Sequence, residues 1–269
     1  MGGDIPGPAL LFCPADRPER YAKAFAAADT VILDLEDGVG ADSKDAARAA
    51  LAGTPLDPAR VIVRVNATGT PEHTGDLAAV RAAGYRMIML PKAEDVAQLD
   101  VLGDWQVVAL AETPLGVVNA AQLAAEPNVV ALMWGAEDLI AALHGRTSRF
   151  PDGRYRQVAL HTRSAVLLAA AAHGRPAIDA VYIDIPDLDG LAAEAEDAAA
   201  SGFALKACIH PSQVPVVRAA FRADEAQVAW ARRVLAAARE TGSGAVKVDG
   251  QMIDAPLIRQ AEAILASMR

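Results

Sequence analysis

Residues 129–138 have the sequence Val129-Val-Ala-Leu-Met-Trp-Gly-Ala-Glu-Asp138. The first six residues form an apolar run of the strand type. The run breaks at Gly135, and two adjacent acids, Glu137 and Asp138, then lead into a helical pattern. Functional residues of α/β proteins lie at the carboxyl ends of buried strands. This stretch therefore predicts a strand that carries carboxylates into a site.

The preceding segment repeats this arrangement. An apolar run from Trp105 to Ala111 reaches Glu112 and continues into Thr113-Pro114. Two consecutive strands that end in Glu112 and Asp138 predict two oxygen ligands for one hard cation, because Mg²⁺ commonly takes one or two carboxylates. No His or Cys lies beside them in the sequence, which disfavours zinc.

Eight apolar runs of this kind alternate with helical patterns along the chain. They cover residues 9–13, 30–36, 60–65, 86–90, 106–111, 129–134, 177–183 and 204–209. Near-continuous runs rich in Val and Ile are typical of parallel strands that are buried on both faces. In a chain of 269 residues they predict an α/β fold of the (β/α)8 TIM-barrel type. An open doubly wound sheet is the alternative, but it needs fewer strands and often has a glycine-rich turn after the first strand, where residues 12–18 contain no glycine.

The composition narrows the class of protein. The 25 Lys and Arg residues and 34 Asp and Glu residues give a formal charge of −9, which argues against a nucleic-acid partner. No apolar run approaches the roughly 20 residues of a membrane span. Residues 1–6 lack the features of a signal peptide, and Cys13 and Cys208 are expected to be buried free thiols rather than a disulfide. We expect a cytoplasmic protein without a membrane partner.

Two segments depart from a bare barrel. The catalytic barrel domain is predicted over residues 1–215, and residues 216–269 are predicted to form a C-terminal helical extension or lid that packs on a neighbouring subunit. This tail is too small for a sizeable core of its own. The connection before the seventh strand is long and contains arginines at positions 146, 149, 154 and 156. These are candidate phosphate contacts, although a solvated or subunit-contact loop is the favoured interpretation.

Polar residues accumulate at the predicted carboxyl ends of the strands. They are Asp34, Glu36, Asp37, Arg64, Asn66, Lys92, Glu112, Glu137, Asp138, Asp184, Asp187 and His210. Any one of them alone would be interpreted as a solvated loop residue, but acids that end several strands together with basic groups indicate a site. His210 precedes a proline at a strand end, so a structural role is favoured over that of a base. Trp134 and Trp230 are interpreted as core or interface residues.

Arg64 is the candidate for binding a substrate carboxylate, because its guanidinium can form two parallel hydrogen bonds that Lys cannot reproduce. A pairing with Glu36 or Asp37 is equally compatible with the spacing. Asp34 and Glu36 are predicted to share one face of a strand, and together with Asp37 to orient neighbouring groups rather than to bind directly.

Six motifs occur in a characteristic order. They are Asp34-Leu-Glu-Asp-Gly-Val39, Val63-Arg-Val-Asn66, Leu90-Pro-Lys92, Ala111-Glu-Thr-Pro114, Gly135-Ala-Glu-Asp-Leu139 and Ile209-His-Pro211. As an ordered set they resemble the HpcH/HpaI aldolase and citrate lyase β-subunit family, and specifically its stand-alone β-subunit-like proteins. The resemblance extends from about residue 9 to the C-terminus.

The resemblance implies a homotrimeric (β/α)8 barrel that uses Mg²⁺ to cleave or form C–C bonds in β-hydroxyacyl thioesters. It assigns Glu112 and Asp138 to the metal, and Arg64 and Glu112 to the substrate, with backbone contacts from Gly135 and Ala136. The segment Gly250-Gln-Met-Ile-Asp-Ala-Pro256 resembles a C-terminal motif whose acid reaches a neighbouring subunit. Asp254 would then be a catalytic acid or base supplied in trans, whereas the residues alone indicate only the N-cap of the last helix.

These implications predict a Mg²⁺-dependent lyase that converts a malyl-, citramalyl- or hydroxymethylglutaryl-CoA type of substrate into an acyl-CoA and an oxo acid. Two alternatives remain open at this point. One is a malate-synthase-like condensation or a thioester hydrolysis, and the other is a carrier-dependent citrate lyase β subunit that acts in a complex.

Overall fold

The computed structural model describes residues 5–241 and 245–266. Most of the N-terminal stretch considered above, residues 1–4, lies outside the described residues, as do residues 242–244 and 267–269 of the tail. The chain divides into two compact units, Met1–Val217 and Arg218–Arg269.

The first unit is a barrel of parallel strands. Its strands are β1 Ala9–Pro14, β2 Thr30–Asp34, β3 Val61–Arg64, β4 Met87–Leu90, β5 Gln106–Ala111, β6 Val129–Trp134, β7 Ala177–Asp179 and β8 Leu205–Cys208. They follow one another around the barrel in sequence order, and β8 closes it by pairing in parallel with β1, with Lys206 opposite Ala9. The predicted TIM barrel is confirmed, and each predicted run contributes one strand.

Helices follow most of the strands. They are α1 Tyr21–Ala27, α2 Lys44–Gly53, α3 Glu72–Ala82, α4 Val96–Asp100, α5 Pro114–Val118, α6 Ala120–Ala125, α7 Ala136–Ala142, α8 Gln157–Ala172, α9 Leu188–Ser201 and α10 Val214–Ala220. Helix α8 ends at Ala172, and Gly174 adopts a φ of +64° just beyond it. Glycine reaches this left-handed conformation without the steric cost of a Cβ.

The interior of the barrel is apolar. One continuous cluster takes side chains from every strand: Leu10, Ile32, Ile62, Met87, Met89, Val108, Leu110, Ala131, Met133, Ile178, Leu205 and Ala207. Side chains alternate between the two faces of a strand, so these residues form the inward set. These apolar side chains fill the lumen of the barrel. The polar residues that follow the strands are therefore confined to the carboxyl ends of the barrel.

Strand β7 is shorter than the predicted run, which extended to residue 183. The strand ends at Asp179 because side chains take over the carbonyl groups that a longer ladder would use. Lys206 Nζ donates to the carbonyl of Ala180 at 2.9 Å, and Gln213 Nε2 donates to that of Tyr182 at 2.8 Å.

A buried polar cluster lies on the outer side of the barrel. Asp179, which is fully buried, accepts hydrogen bonds from Trp134 Nε1 at 2.8 Å, Arg163 Nε at 2.9 Å and Lys206 Nζ at 2.9 Å. A buried carboxylate is tolerated where it is paired and hydrogen-bonded in this way. The cluster connects α8 to β6, β7 and β8.

Both cysteines are buried and neither is part of a disulfide, as predicted. Trp134 is fully buried, as a core residue should be. None of the described helices is long and apolar enough to span a membrane.

The second unit consists of α11 Glu225–Thr241, the strands β9 Val246–Val248 and β10 Gln251–Ile253, and α12 Ala255–Ala266. The strands form an antiparallel hairpin that our sequence analysis missed. Its turn is Asp249-Gly250, and both residues have a positive φ, as a two-residue hairpin turn of type I′ requires. Trp230 packs against a small apolar cluster of this unit.

We expect Asp179→Ala to destabilise the barrel by about 3–5 kcal/mol, because Lys206 and Arg163 would lose a buried counter-charge. The free energy of unfolding in urea measures the loss. Asp152→Ala removes a carboxylate whose partner, Arg154, is exposed, and this control should leave the unfolding midpoint unchanged. Equal stability of the two variants would contradict the structural role of the buried cluster.

Candidate active site

A cavity of about 380 Å³ lies at the carboxyl ends of the strands. It is lined by Phe12, Pro14, Asp34, Asp37, Gly38, Arg64, Leu110, Glu112, Met133, Trp134, Gly135, Ala136, Glu137, Asp138, Ala180, Val181 and Ile209. The lining therefore combines carboxylates and a guanidinium with apolar side chains. The fold brings together Arg64, Glu112, Gly135, Ala136 and Asp138, which were predicted as separate motifs.

Glu112 follows β5 and is almost completely buried. Its Oε1 accepts a hydrogen bond from the backbone N–H of Lys92 at 3.1 Å. Its Oε2 lies against Gly135, where an added Cβ would be 2.9 Å from that oxygen and 2.8 Å from Glu112 Cβ. Gly135 is thus required for its lack of a side chain, because the Glu112 carboxylate passes directly over it.

Asp138 and Glu137 are neighbours in the first turn of α7, but the structure engages them differently. Glu137 Oε1 accepts a hydrogen bond of 2.6 Å from Ser148 Oγ, in the long connection after α7. Asp138 is half-buried at the cavity and has Lys92 Nζ 3.7 Å from its Oδ1. Asp138 is accordingly the acid that remains available to a ligand.

Arg64 at the end of β3 is held by two carboxylates. Its Nε and Nη2 donate to the two oxygens of Asp34 at 2.7 and 2.6 Å, and its Nη1 is 3.2 Å from Glu36 Oε2. The guanidinium lies 4.9 Å above the ring of Phe12. Burial opposes its charge, but Asp34 and Glu36 raise the pKa of Arg64 above its ordinary value. The side chain is thus a fixed cation at the cavity wall.

The pairing of Arg64 differs in part from the expectation. The sequence suggested Glu36 or Asp37 as its partner, but the bidentate partner is Asp34, and Asp37 is exposed on the cavity lining. Asp34 and Glu36 do not share a strand face as predicted, because β2 ends at Asp34. Both carboxylates nevertheless reach Arg64, since the chain turns back after β2.

The turn after β2 is built around the Asp34 carboxylate. The backbone N–H groups of Glu36 and Gly38 donate to it at 2.9 and 2.8 Å. A Cβ on residue 38 would collide with Asp34 Oδ2. Glycine at this position therefore allows the backbone to wrap closely around the buried carboxylate.

Behind this turn lies a polar network that our sequence analysis largely missed. Lys44 Nζ donates to the carbonyls of Leu35 and Glu36 and to Asn66 Oδ1 at 2.6, 2.7 and 2.8 Å. Asn66 Nδ2 donates to Asp76 at 2.6 Å. Asn66 was grouped with the candidate site residues, but its hydrogen bonds support the loop that follows β2. Lys44 and Asp76 lie in helices, so a pattern of polar residues at strand ends does not identify them.

The remaining candidates serve the fold. Asp187 caps α9 through Gly190 N–H, and His210 Nδ1 accepts from the backbone N–H of Ser212. Asp184 is exposed and is not part of the cavity lining. The structural interpretation of His210 agrees with this geometry.

The arginine-rich connection is partly occupied by its own contacts. Arg149 pairs with Glu194 at 2.8 Å and lies 3.7 Å above the ring of Tyr155. Arg154 pairs with Asp152 at 2.7 Å. These two arginines are therefore engaged within the protein, which fits the favoured interpretation better than a phosphate site.

Asp254 belongs to the second unit. It is exposed and directly precedes α12, where its carbonyl accepts the backbone N–H of Ile258 at 3.0 Å. This position is that of a residue at a helix N-terminus, as the sequence alone indicated.

The donor set at the cavity fits a hard cation. Within the described residues there is no group of three or more His, Cys, Asp or Glu side chains that could hold a metal. Mg²⁺ does not need three, because it keeps several waters and commonly takes one or two carboxylates. Glu112 Oε2 and Asp138 provide two oxygens at one rim, and Gly135 leaves space beside them.

The charges at the cavity also favour a bound cation. Burial, followed by the charges of Asp138 and Glu36, raises the pKa of Glu112 to about 8, although Lys92 and Arg64 oppose the shift. Burial also raises the pKa of Glu36, against the effects of Arg64 and Lys92. A bound cation would relieve this concentration of carboxylates.

Comparison with known proteins supports the resemblance found in the motifs. The family described as HpcH/HpaI aldolase/citrate lyase matches residues 9–211. The chain belongs to this family. A second description, C–C bond lyase of the TIM-barrel fold, matches residues 157–268.

Three relatives cover nearly the whole chain. The citrate lyase subunit beta-like protein of Mycobacterium tuberculosis is 58% identical over 259 residues, which are 96% of this chain and 94% of that protein. A (3S)-malyl-CoA thioesterase of Cereibacter sphaeroides is 38% identical, covering 91% and 88%. The mitochondrial citramalyl-CoA lyase of Rattus norvegicus is 31% identical, covering 97% and 86%.

Solved structures of relatives share the fold. The M. tuberculosis protein CitE in complex with magnesium, acetoacetate and coenzyme A has a TM-score of 0.94 at 57% identity, covering 97% of this chain and 98% of that chain. The citrate lyase beta subunit of the same organism, complexed with oxaloacetate and magnesium, has a TM-score of 0.81 at 58% identity, covering 83% and 100%.

We predict that binding of Mg²⁺ depends on pH. With a pKa of about 8, Glu112 carries a proton at neutral pH in the metal-free protein, and a metal-bound carboxylate must be deprotonated. The affinity should therefore rise as the pH increases towards and past 8, and binding at neutral pH should release a proton. Titration calorimetry in buffers of different ionisation enthalpy measures that proton. Binding without proton release would contradict the assignment.

We expect Gly135→Ala to weaken Mg²⁺ binding by roughly 10- to 100-fold, because its Cβ would displace the Glu112 carboxylate. Gly40→Ala is the matched control, since a Cβ there meets no atom within 4 Å. Titration calorimetry compares both variants with the wild type. Wild-type affinity in Gly135→Ala would show that the Glu112 carboxylate does not need this space.

Proposed function

We propose that this protein is a Mg²⁺-dependent carbon–carbon lyase that cleaves a β-hydroxyacyl-CoA into an acyl-CoA and an oxo acid. The observation that carries the proposal is the convergence of Glu112, Asp138 and Arg64 on one cavity at the carboxyl ends of the barrel. The family match and the magnesium complexes of its relatives support the choice of metal.

Each residue has a distinct role in this proposal. Glu112 and Asp138 hold the cation, which supplies Lewis-acid stabilisation of negative charge on a substrate oxygen. Arg64, immobilised by Asp34, binds the substrate carboxylate and orients the bond that breaks. Gly135 and Ala136 line the same cavity, and in this proposal their backbone N–H groups donate hydrogen bonds to the developing charge. Glu36 helps to hold Arg64 in place through its ion pair with Nη1.

The charges of the cavity favour an oxo acid with a single carboxylate. Among the described residues, Arg64 is the one cationic side chain that lines the cavity. The lining also includes the apolar side chains of Leu110, Met133, Val181 and Ile209. Malyl-, citramalyl- and hydroxymethylglutaryl-CoA each bring one free carboxylate, whereas a citryl thioester brings a second carboxylate that would face acids or apolar side chains.

Two other activities have specific support. The malyl-CoA thioesterase relative favours hydrolysis of the thioester at the same site. The citrate lyase β-like relative, and the oxaloacetate complex, favour a carrier-dependent subunit. Both are distinguished from the lyase by their products and by their need for an acyl-carrier protein.

The assay that tests the proposal is product analysis on the purified protein with Mg²⁺ and a panel of malyl-, citramalyl- and hydroxymethylglutaryl-CoA. We expect release of acetyl-CoA together with glyoxylate, pyruvate or acetoacetate, and loss of both products on chelation. Free coenzyme A with the intact hydroxy acid would instead indicate a thioesterase. Inactivity of a folded, metal-binding protein across the panel would favour the carrier-dependent subunit.

Variants of the site have distinct expected effects. Glu112→Ala or Asp138→Ala should abolish metal-dependent turnover. Arg64→Lys should lower kcat/KM by on the order of 100-fold, because a single ammonium cannot replace the bidentate geometry. Wild-type rates in the carboxylate variants would refute the metal assignment, and unchanged kinetics of Arg64→Lys would remove Arg64 from the site.

We further propose that the protein is a homotrimer in which Asp254 acts as acid or base in the active site of a neighbouring subunit. An exposed acid in a separate compact unit is suited to that role. Co-expressed Glu112→Ala and Asp254→Ala chains should regain about one quarter of wild-type activity, because random assembly pairs one intact Glu112 with one intact Asp254 at that frequency. Mixed oligomers that stay inactive would place Asp254 in its own subunit's site or outside catalysis.

A further inference from the structure

Lys92 follows β4, and its ammonium group lies among carboxylates. Its Nζ is 2.5 Å from Glu36 Oε1 and 3.7 Å from Asp138 Oδ1. Its backbone N–H donates to Glu112 Oε1 at 3.1 Å. One residue thus contacts the acid that faces Arg64 and both proposed metal ligands.

The backbone of Lys92 is in an unusual conformation. Its φ is +50°, in the left-handed region that residues other than glycine rarely adopt. The next residue returns to regular pairing, because the Ala93 N–H donates to the carbonyl of Leu110 at 3.1 Å. Such strain persists only where the surrounding structure holds it, and it tends to occur at functional sites. In this conformation the backbone and the side chain of Lys92 reach the acids together.

Arg64 cannot replace Lys92 as the counter-charge of the metal ligands. Two of its nitrogens are bound to Asp34 and the third faces Glu36. Lys92 therefore supplies the positive charge beside Glu112 and Asp138. A lysine side chain is charged at neutral pH, and the Glu36 carboxylate lies 2.5 Å from this ammonium group. Its side chain is about one-third exposed, which leaves it room to move towards solvent.

We propose that Lys92 is a positioning residue that holds Glu36, Glu112 and Asp138 together before the metal binds, and that a divalent cation competes with its ammonium group for Asp138. The inference rests on the proposed metal site and goes beyond it, because it assigns control of the metal affinity to a side chain that is not a ligand. Lys92 keeps the carboxylates ordered in the metal-free protein, and its charge makes the metal bind less tightly.

This role predicts opposite changes in stability and in metal affinity. Without the ammonium group Glu36 and Asp138 lose their shared counter-charge, so the metal-free protein becomes less stable. The same change removes a positive charge next to the incoming cation. We expect Lys92→Met to bind Mg²⁺ roughly five- to tenfold more tightly, as is reasonable for loss of one unit charge near a partly exposed divalent site. A residue with a purely structural role would weaken metal binding when lost.

The experiment is titration calorimetry of Mg²⁺ into the full-length protein, combined with thermal unfolding in the presence of a chelator and in excess Mg²⁺. Lys92→Met should show tighter binding, a lower Tm without metal and a larger rise in Tm on adding Mg²⁺. Lys92→Arg restores the charge and should return the affinity towards the wild-type value. Lys92→Gly provides a second uncharged variant that accepts a φ of +50° without strain, so its folding does not depend on the side chain.

Lys44→Met is the matched control. Lys44 is also a partly buried lysine beside the Glu36 loop, but its Nζ bonds to the carbonyls of Leu35 and Glu36 and to Asn66 rather than to a carboxylate. Its loss should lower the Tm without tightening Mg²⁺ binding.

The outcomes separate this inference from the proposed function. Failure of the wild-type protein to bind Mg²⁺ would overturn both. A wild-type protein that binds the metal, together with folded Lys92→Met and Lys92→Gly variants that bind it equally or more weakly, would overturn only the role of Lys92. Equal tightening by Lys44→Met would also overturn it, because the effect would then reflect net charge rather than the position of Lys92.

Discussion

The buried ion pair between Asp34 and Arg64 is the contact on which the rest of the site depends. The parallel register of β2 and β3 places these two residues directly opposite each other, so their pairing follows from the register of the two strands. Asp34 also collects the backbone N–H groups of Glu36 and Gly38, and it thereby shapes the turn that delivers Glu36. Removal of Arg64 would leave the Asp34 carboxylate buried without its ion-pair partner, which costs far more than a surface pair contributes.

The barrel concentrates acids where water is partly excluded, and the protein offsets this with two cationic side chains. Arg64 serves Asp34 and Glu36, and Lys92 serves Glu36, Glu112 and Asp138. The compensation is incomplete, as the raised pKa of Glu112 indicates. A site that has excess negative charge, oxygen donors and a missing Cβ beside one carboxylate is suited to a divalent cation. The excess of negative charge therefore favours the binding of a cation and also destabilises the metal-free site.

Contacts outside the barrel hold the end of β6 from two directions. Trp134 is anchored to Asp179 and packs edge-on against Tyr155 at 5.2 Å, while Ser148 binds the side chain of Glu137. The long connection after α7 thus fixes the residues on either side of Gly135. Arg149 takes part in this packing through Glu194 and Tyr155, so its charge stabilises the connection.

The sequence alone determined the barrel, because eight apolar runs buried on both faces can hardly form another architecture. It also predicted Glu112, Asp138 and Arg64 as site residues, since polar residues at the carboxyl ends of strands are a local signal, and the fold brings all three to one cavity. The tertiary structure decided which groups pair. In the folded protein Asp34 pairs with Arg64, and Glu137 accepts a hydrogen bond from Ser148. Asn66 supports the loop after β2, and Lys92 contacts three acids. These outcomes depend on strand register and on contacts between residues far apart in the chain, which no periodicity along the sequence encodes.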